Sequence, residues 1–235
     1  MRILVNRPTG GERFGDGLLD AMFRLRARYF NDLRGWNLPL EGGCEIDRFD
    51  GAGTLYAAAL EEDGTLTGCF RLLPTERPHL LDSCFPELLA ANADTAMRGP
   101  CLWEISRLAV IPTEPDTPFR TETVRITAAL LGCLFAICTE LRISRVTGVT
   151  DVQFERLLHV LGFDCHRTAG PVRIGAEACV AGYLDTNAEN HAAARRAAEK
   201  WARRAVEAPI PATPSPANHP LVPAKAAAAS QNVIG

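Results

Sequence analysis

The chain has 235 residues, enough to bury one large core or two small ones. Its apolar fraction of 47% with 23% charged residues is ordinary for a soluble globular protein. A net charge of -3 excludes bulk attraction to nucleic acid or an anionic membrane, though it leaves room for a local basic face.

The opening run Met1 to Pro8 is too short and too little apolar for a secretory signal, and no later stretch reads as long and apolar enough to span a bilayer. A cytoplasmic location is the default expectation. Eight cysteines (44, 69, 84, 101, 133, 138, 165, 179) lie scattered through predicted elements, with no Cys-x-x-Cys pair and no histidine at metal-ligand spacing. They read as reduced, mostly buried small hydrophobes, and no metal site is expected.

In chain order, a first strand at Arg2 to Val5 leads through a Gly-rich link to a helix from about Leu18 to Leu33. Leu19, Met22, Phe23, Phe30 and Leu33 fall on one face of a 3.6-residue period, and Arg26 sits in the middle of that stripe. Such an arginine either snorkels or reaches across a cleft to a carboxylate. A Gly/Pro-punctuated loop holding Trp36 follows, then Glu45 to Asp50, where Asp47 and Asp50 are spaced to meet Arg26 and Arg107 if the fold brings them close, or else serve as loop caps. Strands at Thr54 to Glu61 and Leu66 to Leu73 are joined by the turn Asp63-Gly64, and the second embeds Arg71 in apolar sequence.

A short helix is expected over Phe85 to Ala90, then a buried strand, Leu102 to Val110, carrying Glu104 and Arg107. A charge on a core strand costs several kcal/mol unless paired, so both need partners from elsewhere. A helix from about Thr121 to Leu141 buries Val124, Leu131, Leu134, Phe135, Cys138 and Leu141. A strand at Arg145 to Thr150, a helix at about Val152 to Leu161 with Asp151 as N-cap and Gly162 past its end, and a strand at Ala178 to Asp185 complete one α/β domain with a mixed sheet. From about Asn187 composition shifts: a basic Ala-rich helix spans about 188–208, and the Pro/Ala-rich tail 209–235 has too little apolar surface to offset its ordering entropy.

Collected, Arg26, Asp47, Asp50, Arg71, Glu104 and Arg107, with Phe30, Trp36 and Trp103, look like a charge-balanced pocket for a ligand carrying both signs. A purely structural ion-pair network is the plain alternative, and Trp36 and Trp103 are core residues on that reading. His79, His159 and His166 show no partner pattern and read as solvated or structural; Arg145, Arg156, Arg167 and Arg173 read as solvated surface rather than a docking face.

Arg26-x-x-x-Phe30 with Trp36, Glu45-Ile46-Asp47-x-x-Asp50, Arg71-Leu72-Leu73-Pro74-Thr75, Trp103-Glu104-x-Ser106-Arg107 and the segment Gly170-Pro171 to Ala181 together resemble the LuxI-type acyl-homoserine-lactone synthases. The resemblance covers roughly residues 1–187. It implies a three-layer α/β/α sandwich with a mixed twisted sheet, similar to GCN5-related N-acetyltransferases. It also implies an acyltransferase that joins S-adenosylmethionine to an acyl chain from acyl carrier protein or acyl-CoA, closes the lactone and releases 5′-methylthioadenosine, with no cofactor. On this resemblance Glu104 is the base, Asp47 and Asp50 offset the substrate's cations, Arg26, Arg71 or Arg107 takes its carboxylate, and Phe30 and Trp36 stack on it. Trp103, Gly148 and Thr150 line the acyl pocket. Gly148, where a threonine accompanies 3-oxo chains in the family, implies an acyl group without that oxygen. Ile111 to Arg120 holds no glycine, which favours a carrier-protein donor over coenzyme A. An N-acyltransferase for another amine, or a non-catalytic binding module, is the alternative function.

One structural demand follows from the residues themselves. In a regular strand Glu104 and Arg107 point to opposite faces, so a shared site requires a bulge or splay near Ile105 to Arg107.

Overall fold

A computed structural model describes residues 1–7, 14–51, 53–89, 97–113 and 119–207. The tail from Pro209 and residues 114–118 of the glycine-free loop therefore lie outside the described residues. The strands are β1 (Arg2–Asn6), β2 (Leu55–Leu60), β3 (Leu66–Pro74), β4 (Leu102–Val110), β5 (Arg145–Asp151), β6 (His166–Arg167), β7 (Val172–Ile174) and β8 (Glu177–Asp185). They form one mixed sheet in the order β1-β2-β3-β4-β5-β8-β6, with β7 also paired to β8. Only β4 and β5 run parallel.

Helices cover both faces, as the sandwich expectation requires. Alternation along β2 shows the division: Leu55, Ala57 and Ala59 join the core beneath α3 (Phe119–Leu141), α4 (Val152–Val160) and α5 (Ala188–Glu207), while Tyr56 faces α1 (Asp16–Ala27). On the α1 face lies also the short α2 (Leu80–Cys84), whose Leu81 packs with Cys179 and Ala181 of β8. β2 and β3 are covered from both sides, which is why they read as almost unbroken apolar runs.

Several expectations need amending, among them the burial of Leu141, which at the end of α3 is 40% exposed. The first helix ends at Ala27 and continues as a π-helical turn, Arg28–Leu33, in which Arg34 N–H donates to Tyr29 C=O at 3.1 Å. Its wider turn shifts the phase, so Phe30 stays buried while Leu33 is 58% exposed. The short helix lies at Leu80–Cys84, ahead of Phe85, with only a 3₁₀ turn at Pro86–Leu88. Within α3, residues Thr121–Leu141 are after all long and apolar enough to cross a membrane by length and composition. Their apolarity has a packing reason: Ile126, Leu130, Leu134 and Phe135 are buried in the core, and Gly132 lets α5 approach so closely that an added Cβ would lie 3.3 Å from the Ala198 methyl.

The sheet opens where β4 meets β5. Their ladder has three pairs, ending at Glu104↔Thr147. Beyond it β4 pairs only with β3, and β5 only with β8. At the apex sits Gly148, where a Cβ would come within 2.8 Å of the Ile105 carbonyl oxygen.

Candidate active site

β4 is irregular where the sequence demands it. Pairing with β3 slips by one residue between Arg71↔Ser106 and Cys69↔Ala109, so Arg107 and Leu108 together oppose Phe70. Arg107 takes up the extra residue with φ +54°, a left-handed conformation that costs an L-residue about 1–2 kcal/mol. The bulge returns Leu108 to the α3 side and turns the Arg107 guanidinium to the α1 side, where the acids lie.

There three guanidiniums interlock with three carboxylates. Arg26 reaches Asp50 through two parallel bonds of 2.8 Å and Glu45 through Nε at 2.6 Å. Arg107 donates to Glu45 Oε1 at 2.9 Å and to Asp47 Oδ2 at 2.8 Å. Arg71 donates to Asp47 at 2.5 Å and to Ser106 Oγ at 3.0 Å, and lies 3.1 Å from Asp50. Tyr56 OH adds a bond to Asp50 Oδ1 at 2.9 Å. The equal numbers of opposite charges let the cluster stay buried without a net ion in the core. Burial would raise the Asp50 carboxyl, but the Arg26 hydrogen bonds and the Arg71 and Arg26 charges outweigh it and hold the group well below the usual carboxylate range. The same acid, after burial itself, pushes the Tyr56 phenol up. Arg26 and Arg71 are fully enclosed, whereas Asp47 at 19% and Arg107 at 9% side-chain exposure form the accessible edge.

Glu104 stands apart from this cluster. The third acid among the arginines is Glu45, which local sequence pattern marks only as a neighbour of Asp47. Glu104 is buried, and its two oxygens accept the backbone N–H groups of Leu80 (3.0 Å) and Leu81 (2.7 Å) at the start of α2. Burial raises its carboxyl above the ordinary range, opposed by those two N–H groups and by the charges of His79 and Arg71. His79, read as solvated or structural, is completely buried beside it.

The aromatic expectations divide. Phe30 and Trp36 stack at 4.9 Å between centroids, and the Arg107 guanidinium lies 5.4 Å over the Phe30 ring. Trp36 remains 42% exposed, an open aromatic face beside the cluster. Trp103 packs with the core on the α3 side, away from Phe30 and Trp36. Its partner in the ladder is Val146, in register with Gly148 and Thr150 along β5. Residues from both faces thus border one opening between β4 and β5.

The autoinducer synthase family model matches residues 13–194. The chain belongs to that family. The acyl-homoserine-lactone synthase of Ralstonia solanacearum is 36% identical over 186 residues, covering 78% of this chain and 90% of the relative. The crystal structure of the AHL synthase LasI matches with a TM-score of 0.72 at 30% identity, over 82% of this chain and 93% of that one. The CoA-dependent acyl-homoserine lactone synthase BjaI, solved with SAM and isopentyl-CoA, matches with a TM-score of 0.67 at 25% identity, over 78% and 83% of the two chains. The enzyme is accordingly an acyltransferase of the homoserine-lactone-forming class.

Glu45 and Ser106 stand in the motifs that carry the resemblance but without a role of their own, and Tyr56 and His79 were not marked as candidates for the site. Tyr56, Arg71 and Ser106 sit side by side across β2, β3 and β4, a register that no local pattern reveals. Arg145 and Arg167 pair with Asp185 and Glu155. Among the described residues no group of three or more His, Cys, Asp or Glu side chains is arranged to hold a metal ion.

Proposed function

We propose that the enzyme acylates the amine of S-adenosylmethionine with a thioester-borne acyl chain and then closes the homoserine lactone, releasing 5′-methylthioadenosine. The observation that carries this reading is the bulge that brings Arg107 into the acid–arginine cluster at the mouth of the β4–β5 opening. A zwitterionic sulfonium substrate needs opposite charges a few ångströms apart, already fixed before it arrives. The bound SAM and isopentyl-CoA of the BjaI structure support the same substrate classes here.

The geometry refines the roles. Arg26 has committed its guanidinium to Glu45 and Asp50, so it positions the acids rather than gripping substrate. Asp47, at the exposed edge, meets the substrate's cationic end with Asp50 behind it. Arg107, at the accessible edge, is the donor for the substrate carboxylate, with the enclosed Arg71 Nη2, which has no hydrogen-bond partner among the described residues, adding positive charge behind it. Trp36 and Phe30 take the adenine or the sulfonium.

Glu104 is the base. Each of its oxygens accepts one backbone N–H and keeps a lone pair, and burial makes the carboxylate a stronger base than an exposed one. The ammonium loses one proton to it, the amine attacks the thioester, and the C–S bond breaks as the nitrogen gives its second proton to the departing thiolate, which leaves as the thiol. Lactone closure then needs the carboxylate aligned with the carbon bearing the sulfonium. The acyl chain enters the opening edged by Trp103, Gly148 and Thr150. The absence of glycine in Ile111 to Arg120 supports acyl carrier protein as donor, and Gly148 supports a chain without a 3-oxo group.

The test is methylthioadenosine release by purified enzyme given S-adenosylmethionine with acyl chains of several lengths, each on carrier protein and on coenzyme A, with product masses read in parallel. Faster turnover with carrier-borne, non-3-oxo chains is expected. No release with any donor refutes the synthase chemistry. A preference for coenzyme A or for 3-oxo chains refutes the donor or acyl assignment alone.

A further inference from the structure

A buried base that has taken a proton must lose it before the next turnover, and Glu104 has no solvent contact of its own. Behind it lies His79, whose ring is completely enclosed. Its Nδ1 lies 3.1 Å from the Arg77 carbonyl oxygen and 3.6 Å from Asp82 Oδ1. Assigning the hydrogen to Nδ1, towards the Arg77 carbonyl oxygen, leaves the neutral ring a bare lone pair at Nε2. That nitrogen has no hydrogen-bond partner among the described residues. A buried polar atom without a partner is uncommon in a core.

The backbone welds ring and base into one unit. His79 N–H donates to Asp82 Oδ1 at 3.1 Å, and the next two N–H groups, of Leu80 and Leu81, hold the Glu104 oxygens. Asp82 in turn is 21% exposed and paired with Arg98 at the surface. The charged groups around the ring are therefore Glu104, Asp82, Arg98 behind Asp82, and Arg71, which acts on Glu104 from β3.

We propose that His79 is a positioning residue for Glu104 that takes over its proton and passes it along Asp82 to solvent. The proposal rests on Glu104 being the base. The steps balance as proton transfers alone. Glu104 takes one proton from the substrate ammonium and becomes the neutral acid. That proton moves to His79 Nε2, restoring the carboxylate and forming an imidazolium. The imidazolium releases its Nδ1 proton past Asp82 to water and regains the starting tautomer by ring exchange. Glu104 and Nε2 are not hydrogen-bonded to each other, so a water or the substrate's own amine bridges the first transfer. An imidazole suits the middle position because it both gains and loses a proton near neutral pH.

His79→Asn is the variant of choice, since asparagine is a favoured residue at a helix N-cap. Turnover of the full chain is followed across pH by methylthioadenosine release, with KM for S-adenosylmethionine and Tm measured alongside. The expected result is a fall in kcat on the order of tenfold, short of the 10²–10⁴ of a direct acid–base group, with KM unchanged. The acid limb of the pH profile should become shallower, because turnover no longer needs a neutral ring to receive the Glu104 proton. Unchanged kcat, or a loss with the limb no shallower, overturns the proposal. Should His79→Asn fail to fold, His79→Gln is assayed in the same way, and the same outcomes support or overturn the relay. Wild-type turnover by Glu104→Gln instead refutes the base assignment. An inactive Glu104→Gln beside an unchanged His79→Asn profile refutes the relay alone.

Discussion

Glu45→Gln is the sharpest probe of the acid–arginine cluster, because it keeps side-chain shape and removes one charge. Glu45 accepts from Arg26 Nε at 2.6 Å, from Arg107 Nη2 at 2.9 Å and from Arg107 Nε at 3.1 Å, at a site only 2% exposed. Three guanidinium–carboxylate bonds lose the charge of their acceptor at roughly 1 kcal/mol each, a loss of about 3 kcal/mol. The new amide NH₂ must also point at one of two guanidiniums, placing donor against donor. Removing one partner of a buried pair costs about 3–5 kcal/mol by the general experience of such deletions. Arg107 is partly solvated and reduces that, so the lower figure is the better one. For a folded unit of this size about 3 kcal/mol corresponds to a Tm lowered by about 6–12 °C. Calorimetry measures the shift, and steady-state kinetics should show a raised KM for S-adenosylmethionine because Arg107 loses its anchor. A variant melting within about 2 °C of wild type with an unaltered KM would show that the charges are solvated in solution and that the cluster is not a preformed site.

Other perturbations test other parts of the structure. Asp50 is held low by its arginines, so the stability it contributes is complete above the unfolded carboxylate value near 3.9 and drains away as pH falls towards the folded value; Asp50→Asn should unfold more readily at pH 7 and show a flatter acid limb in urea titrations, and parallel limbs would contradict that. Gly148→Ala puts a methyl 2.8 Å from the Ile105 oxygen, an overpacking worth about 1–3 kcal/mol of stability; a Tm equal to wild type would mean that β5 yields freely, and Gly148→Thr would then be a clean test of acyl choice. Arg34 bridges Asp151 at 2.8 Å and Glu177 at 2.6 Å, tying the Trp36 loop to the far side of the opening. Being part-exposed, these pairs are worth about 1 kcal/mol or less. Hydrogen exchange in Arg34→Met should therefore rise around residues 34–40 and at the start of β8 while β2 and β3 stay protected, and unchanged exchange at the loop would contradict the tie.

The fold was legible where one physical pattern dominated. β4 was bounded correctly from Leu102 to Val110 because an apolar run between turn residues has few alternatives, and Asp151 caps α4 as expected, accepting Phe154 N–H at 2.8 Å. Phase was lost where the backbone left the standard period: one π-helical turn put Leu33 in solvent. Membership of the site was legible for the arginines, since a guanidinium inside an apolar run announces that it needs a partner. It was not legible which carboxylate would answer. Glu104 and Glu45 are both acids beside apolar residues, and only the tertiary fold shows that Glu45 meets arginines while Glu104 meets backbone amides. His79 gave no sign at all, because a histidine between proline and leucine reads the same whether it caps a surface helix or lies enclosed beside a buried carboxylate.

The two acids differ in a way that makes chemical sense of their separation. A carboxylate surrounded by guanidiniums, as Asp50 is, is driven to so low a proton affinity that it cannot remove a proton from an ammonium. A carboxylate held by two neutral amide dipoles also loses proton affinity to them, but at Glu104 burial outweighs that loss and leaves the group above the ordinary range. On the proposed chemistry, binding a cation and deprotonating it call for these two different environments within one site. The β4 bulge sets them next to each other: Glu104 precedes it on the regular part of the strand, facing α2, and Arg107 occupies it, turned towards the acids. Straightening the strand would return Arg107 to the apolar α3 side and leave Glu45 and Asp47 short of a counter-charge. The left-handed backbone at a non-glycine residue persists because about 1–2 kcal/mol of strain is outweighed by the ion pairs it makes with both acids.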